Sequence, residues 1–132
     1  MRKKVILFII ISMMVIASSA YMIFNNTFSL ANQIDYPNEK YIISFSALYD
    51  NEPIELSEMA LGSILVYIKT AEPTRKRSLN DIPDTRPYFE VIIDKDDGQY
   101  KYFIYEKSNT IYLEIPYYGI YVVDDYVLDL LR

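Results

Sequence analysis

A chain of 132 residues, 52% hydrophobic and with a formal charge of −5, has room for one folded domain. It contains no cysteine and no histidine, which removes disulfides, thiolate chemistry, cysteine-ligated metals and the usual acid–base side chain together. Setting aside Arg2, Lys3 and Lys4 leaves ten cations against eighteen carboxylates, a balance of −8 that argues against a nucleic-acid partner.

The first element is apolar. Val5–Phe24, VILFIIISMMVIASSAYMIF, runs for twenty residues without a charge, directly behind three cations. About twenty residues at roughly 1.5 Å each span the hydrocarbon core of a bilayer. The leading cations favour a cytoplasmic N-terminus, which puts everything after the run outside. Three readings stay open: a single-pass anchor through residues 5–24, a secretory signal cut near Ser18-Ser19-Ala20, which releases the rest, and a buried helix of a soluble protein. Tyr21-Met22-Ile23-Phe24 carries the apolar run past that cut and favours the anchor. The organisation expected is therefore a membrane segment over 1–24, a tether over 25–39 and a domain over 40–132.

Within that domain, KYIISFSALY (Lys40–Tyr49) reads as a strand, and DNEPIELS as a turn with a short second strand. Ser57 is placed to cap a helix, and Leu56 and Leu61 stand at the positions of a hydrophobic staple. Leu61, Ile64, Leu65 and Ile68 share one helical face, so a helix is expected from Glu58 to about Lys69. Eighteen residues then pass without a convincing element before Tyr88. The stretch TAEPTRKRSLNDIPDTRPYFEV holds prolines at 73, 83 and 87 and the cations Arg75, Lys76 and Arg77. A loop longer than about 12–15 residues is usually functional or disordered. PYFEVIID, QYKYFIYE and TIYLEI follow as strands, separated by turns at Asp97-Gly98 and Lys107-Ser108-Asn109. On the third of these, Tyr112 and Glu114 should form a partly wet face. YYGIYVV is a short final strand, and DDYVLDLLR closes the chain as a helix that Asp124 can cap.

This order predicts an α+β domain: a single antiparallel sheet of about four to six strands with two helices on one face, preceded by an N-terminal transmembrane helix.

Four features invite a chemical reading. DKDDG (Asp94–Gly98) departs from a calcium loop, because its glycine comes too early and Tyr105 stands where a glutamate is needed. A hairpin turn explains it, and no metal or cofactor is expected. The adjacent pairs Asp96-Asp97 and Asp124-Asp125 do not face each other across a substrate, as a glycosidase requires. Fourteen tyrosines are consistent with sheet packing and with a recognition surface at Tyr117, Tyr118 and Tyr121. Finally Arg75, Lys76 and Arg77, with Arg86 further along the same loop, are suited to gripping carboxylate or phosphate. A solvated face and neutralisation by Asp81, Asp84 or Glu90 are the competing readings.

EPTRKRSLNDIPDTRPYFEV and YFIYEKSNTIYLEIPYYGIYVV together resemble an uncharacterised extracytoplasmic domain family of Gram-positive Firmicutes. Its pattern is a Pro-Thr-Arg-Lys-x-Ser-x-Asn-Asp-x-Pro-Asp loop, then a Tyr-Glu-Lys hairpin and a Pro-Tyr-x-Gly-Ile-Tyr ending. Pro73, Thr74, Arg75, Lys76, Ser78, Asn80, Asp81, Pro83 and Asp84 match the loop. Tyr105, Glu106, Lys107, Pro116, Tyr117, Gly119, Ile120 and Tyr121 match the remainder. The resemblance spans about Lys40 to Leu131. It implies a small domain behind one membrane segment, similar to domains associated with the outer ends of membrane peptidases involved in sensing. It implies no activity, ligand or catalytic residue. A shared polar loop has a structural explanation as well, since Ser78, Asn80, Asp81 and Asp84 can satisfy its backbone and pin it to the sheet.

The expected function is non-enzymatic binding of a protein or anionic cell-envelope partner. The alternatives are an accessory or immunity-type protein that docks on a membrane protein, and a carboxylate-based hydrolase.

Overall fold

The computed structural model describes residues 2–29, 34, 37 and 39–132, with side-chain surroundings for 5–23, 34, 37 and 40–132. Two compact units emerge, Met1–Gln33 and Ile34–Arg132.

The first unit is a helix, α1 (Arg2–Ser29). Its segment Val5–Ile23, with mean hydropathy 2.4, is long and apolar enough to cross a membrane. The Ser18 and Ser19 hydroxyls donate to the carbonyls of Met14 and Val15, at 2.7 and 2.8 Å. Their polarity is thereby met inside the helix. The helix passes the expected end at Phe24, because Asn25 to Ser29 contains neither proline nor glycine to stop it. Of the tether expected over 25–39, residues 30–33, 35, 36 and 38 lie outside the described residues.

The second unit opens with a single 3₁₀ turn, Glu39–Tyr41. It continues as β1 (Ile42–Tyr49), β2 (Glu52–Ile54), α2 (Glu58–Thr70), β3 (Glu72–Lys76), β4 (Tyr88–Lys95), β5 (Gly98–Lys107), β6 (Thr110–Ile115), β7 (Gly119–Val122) and α3 (Tyr126–Leu131). All seven strands form one antiparallel sheet in the order β2-β1-β4-β5-β6-β7-β3. The hairpins β1–β2 and β5–β6 turn on Asp50-Asn51 and Ser108-Asn109, each residue at positive φ. That is the two-residue geometry whose twist matches the flanking strands.

The sheet has one strand more than expected, and β3 is the addition. Pro73 sits at the outer edge, where its missing N–H interrupts no ladder. The register jumps from Pro73↔Tyr121 to Lys76↔Ile120, so Thr74 and Arg75 bulge out. The Thr74 hydroxyl repairs the gap: it donates to the Ile120 carbonyl at 2.6 Å and accepts from the Lys76 N–H at 3.2 Å. Arg75 takes φ 63° at the bulge.

One face of the sheet carries both helices. Leu61, Ile64, Leu65 and Ile68 of α2, with Val127, Leu128 and Leu131 of α3, bury against Val91, Ile93, Tyr102, Ile104, Leu113 and Tyr121. Ser57 caps α2 by accepting from the Ala60 N–H at 3.1 Å. Ahead of α3, the Asp124 carboxylate accepts from the Tyr126 N–H at 3.0 Å. The opposite face holds a smaller cluster, Tyr88, Phe103 and Tyr105, with Tyr112 packed beside it.

Candidate functional site

Residues 77–87 lie over that second face, and the fastening begins at β6. Glu114 pairs with Phe103 across the ladder and is only 6% exposed, so the partly wet face expected at Tyr112 and Glu114 is closed at Glu114, while Tyr112 stays half-buried. Its two oxygens are both engaged. The Ser78 hydroxyl donates to Oε1 at 2.7 Å, and the Tyr105 hydroxyl donates to Oε2 at 3.0 Å. A carboxylate excluded from water needs such donors. Burial, reinforced by the adjacent Glu114 charge, pushes the Tyr105 phenol well above its ordinary range.

Two further contacts stiffen the segment. Asn80 Nδ2 donates to Asp84 Oδ1 at 3.1 Å. The Tyr117 hydroxyl hydrogen-bonds the Asp81 carboxylate, which raises the Tyr117 phenol. Ser78, Asn80, Asp81 and Asp84 therefore all serve to hold the loop in shape, while Pro83 is buried beneath it.

The same fastening leaves the cations outside. Arg75, Lys76 and Arg77 are exposed, and none forms an ion pair among the described residues. A cleft of about 200 Å³ opens beside them, lined by Arg77, Asn80, Asp84, Tyr105, Lys107 and Glu114, among others. Tyr117 stands at φ 61° in the β6–β7 turn and is 62% exposed. Arg75 to Arg77 and Tyr117 are thus brought to one end of the sheet, across the β3–β7 pairing.

The other expected site residues are elsewhere. Arg86 reaches the β1–β2 turn, where it pairs with Asp50 at 2.6 Å, and its guanidinium lies 5.0 Å from the centre of the Tyr88 ring. Tyr118 is half-buried against the core and lines a separate groove of about 330 Å³ with Tyr100, Ile115 and Pro116. Tyr121 is a correction. It shares the helix-covered face with Leu113, is 1% exposed, and burial pushes its phenol up to about 12. It packs the core and presents no surface to a partner.

DKDDG is a turn at Asp96-Asp97, with Gly98 at φ 144°. Asp94 accepts from Gln99 at 2.8 Å and Ser44 at 2.7 Å, bonds that hold its carboxyl below the usual range. Among the described residues, no cluster of three or more acidic side chains gathers to hold a metal.

The family model DUF5301, described as "Domain of unknown function (DUF5300)", matches residues 31–122. The chain is also similar to a solved structure titled "NMR structure of the protein from Ruminococcus gnavus". That likeness has a TM-score of 0.61 and 26% identity, over 74% of this chain and 97% of the other. No curated protein matches the chain.

Proposed function

The chain belongs to the DUF5301 family of unknown function, and from that premise we propose a membrane-anchored binding module that captures an anionic partner outside a Gram-positive cell. One observation carries this reading: Arg75, Lys76 and Arg77 form a run of exposed cations on an acidic domain, held in place by a loop whose own polar groups are already engaged.

Guanidinium groups grip carboxylate or phosphate through two parallel hydrogen bonds. The cations beside the cleft therefore suit a peptide carboxylate or an anionic envelope polymer. The exposed Tyr117 ring adds apolar contact at the same end of the sheet. Binding fits better than hydrolysis, since Asp84 and Glu114 line the cleft but both accept hydrogen bonds from the protein itself. The three cations at the start of α1, just ahead of its apolar span Val5–Ile23, support an anchor with the domain outside.

The test compares wild type with the Arg75/Lys76/Arg77 triple alanine variant by chemical cross-linking in intact cells. A specific adduct, whether protein or envelope polymer, should be present in the wild type and lost in the variant. An adduct that survives the triple substitution removes the basic run as the contact.

A further inference from the structure

At the opposite edge of the sheet, pairing between β1 and β2 stops at Ala47↔Ile54, whereas β1 remains paired with β4 down to Ile42. The outer edge of β1 from Ile42 to Ser46 therefore has no strand beside it among the described residues. Its polarity follows from the turn. In a two-residue hairpin the flanking pair, here Tyr49 and Glu52, exchanges both hydrogen bonds. Alternate residues then face the same way, so Tyr49, Ala47 and Phe45 direct their N–H and C=O outward. The first two meet β2, and Phe45 lies beyond its end.

The fold treats its other edges differently. β2 has only three residues, including Pro53, and β3 carries Pro73, Lys76 and a bulge. These are the ordinary devices that stop strands from adding to a sheet. Ile42–Ser46, IISFS, has neither proline nor charge. Its register against β4 shifts between Ile42 and Ser44, which leaves Ser44–Ser46 as the regular part of the free edge, and Ile43, at the shift, is 70% exposed.

Beside this edge runs a groove of about 610 Å³ between β1 and α2, lined by Phe45, Glu58, Leu61, Gly62 and Leu65, among others. Open space lies over Gly62, where an added Cβ would meet nothing within 4 Å.

We propose that an extended, basic polypeptide segment from another protein adds to the sheet along Ile42–Ser46, antiparallel to β1, with alternate apolar side chains in the β1–α2 groove. Main-chain hydrogen bonds to Phe45 anchor it, and Phe45, Leu61 and Leu65 receive its inward side chains. Charge selects the occupant. Glu58 stands at the groove, and the domain carries the −8 balance, so a cationic segment is attracted. A second copy offers the same negative field, and its own Ile42–Ser46 has no cation to place against Glu58.

The test uses the full-length chain in detergent micelles and three short capped peptides. One alternates valine and threonine with a terminal lysine, one replaces that lysine with glutamate, and one scrambles the basic sequence to destroy the alternation. Amide NMR shifts should move at Ile43–Ser46 and along Leu61–Leu65 with the basic alternating peptide, and the Phe45 amide should gain hydrogen-exchange protection. Affinity should fall at least tenfold for the other two peptides. Gly62→Leu fills the groove and removes a helix-interior glycine, so it should weaken the basic peptide at least tenfold while raising Tm. Glu58→Gln should narrow the gap between the basic and acidic peptides. Failure of the basic peptide to bind overturns the proposal, as does equal binding of the scrambled peptide or unchanged affinity in Gly62→Leu. Phe45 protection that appears without peptide and rises with protein concentration assigns the edge to a second copy, and also overturns it.

Discussion

Ser78 and Glu114 are 36 positions apart in the chain, yet the serine hydroxyl lies 2.7 Å from the carboxylate with both residues buried. This bond fixes the start of the loop after β3, directly beside Arg77. It also sets a ranking. Ser78→Ala leaves one oxygen of a buried carboxylate without its donor, a loss of about 1.5–3 kcal/mol for a hydrogen bond to a charged group. Glu114→Ala leaves the hydroxyls of Ser78 and Tyr105 without their acceptor and opens a void, so it should cost more. Thermal melts should place the Tm values in the order wild type, Ser78→Ala, Glu114→Ala. Hydrogen exchange should quicken first in residues 77–87.

Gly119 and Tyr121 form a second tight relationship. A Cβ on Gly119 would lie 3.0 Å from the Tyr121 hydroxyl oxygen and 3.1 and 3.2 Å from two ring carbons. The ring is held in the core and cannot swing aside. Gly119→Ala should therefore destabilise by about 1–3 kcal/mol, the usual cost of forcing extra volume into a packed site. Denaturant melts check this, and Tyr121→Phe in the same chain should recover part of the loss by removing the closest atom.

Alkaline pH should unfold the domain through its buried phenols. Tyr105 and Tyr121 are both raised by burial, Tyr121 to about 12, against about 10 in an unfolded chain. A group with its folded pKa raised contributes stability that is complete below the unfolded value and lost as pH climbs through the folded one. Stability should thus be flat approaching pH 10 and fall between about 10 and 12. Unfolding releases the buried phenols, so a final step of phenolate absorbance should accompany loss of circular dichroism, and that step should be smaller in Tyr121→Phe.

The parts of the fold that were readable in the sequence are those set by short-range periodicity. Leu61, Ile64, Leu65 and Ile68 recur at helical spacing, and all four are buried on α2. Ser108-Asn109 announces a turn through residues that tolerate positive φ, and it is one. β3 is hidden because Pro73, Arg75 and Lys76 are the vocabulary of a loop, and only the sheet's free edge at β7 makes them a strand. Glu114 looked wet because strand alternation says which face a residue takes, not what later covers it. Tyr121 groups with Tyr117 and Tyr118 by closeness in the chain, although its alternation with Gly119 places it on the core face. Arg86 shares a loop with Arg75–Arg77, but Asp50, 36 positions away, claims it.

That last separation yields a prediction on binding and stability together. Arg75, Lys76 and Arg77 are exposed and without ion pairs among the described residues, so their triple alanine variant should keep its stability within about 0.5 kcal/mol, as surface changes usually do. Arg86→Ala loses a half-exposed ion pair to Asp50, worth about 0–1 kcal/mol, and the contact with the Tyr88 ring, worth about 0.5–1 kcal/mol. The two variants should therefore move in opposite ways. The triple variant melts like wild type and loses its cross-linked adduct, while Arg86→Ala melts earlier and keeps it. Salt discriminates further: added electrolyte screens exposed charges, so capture by the basic run should weaken steeply as ionic strength rises. If Arg86→Ala loses the adduct with its Tm unchanged, the contact extends to the β1–β2 turn, and the loop presents four cations rather than three.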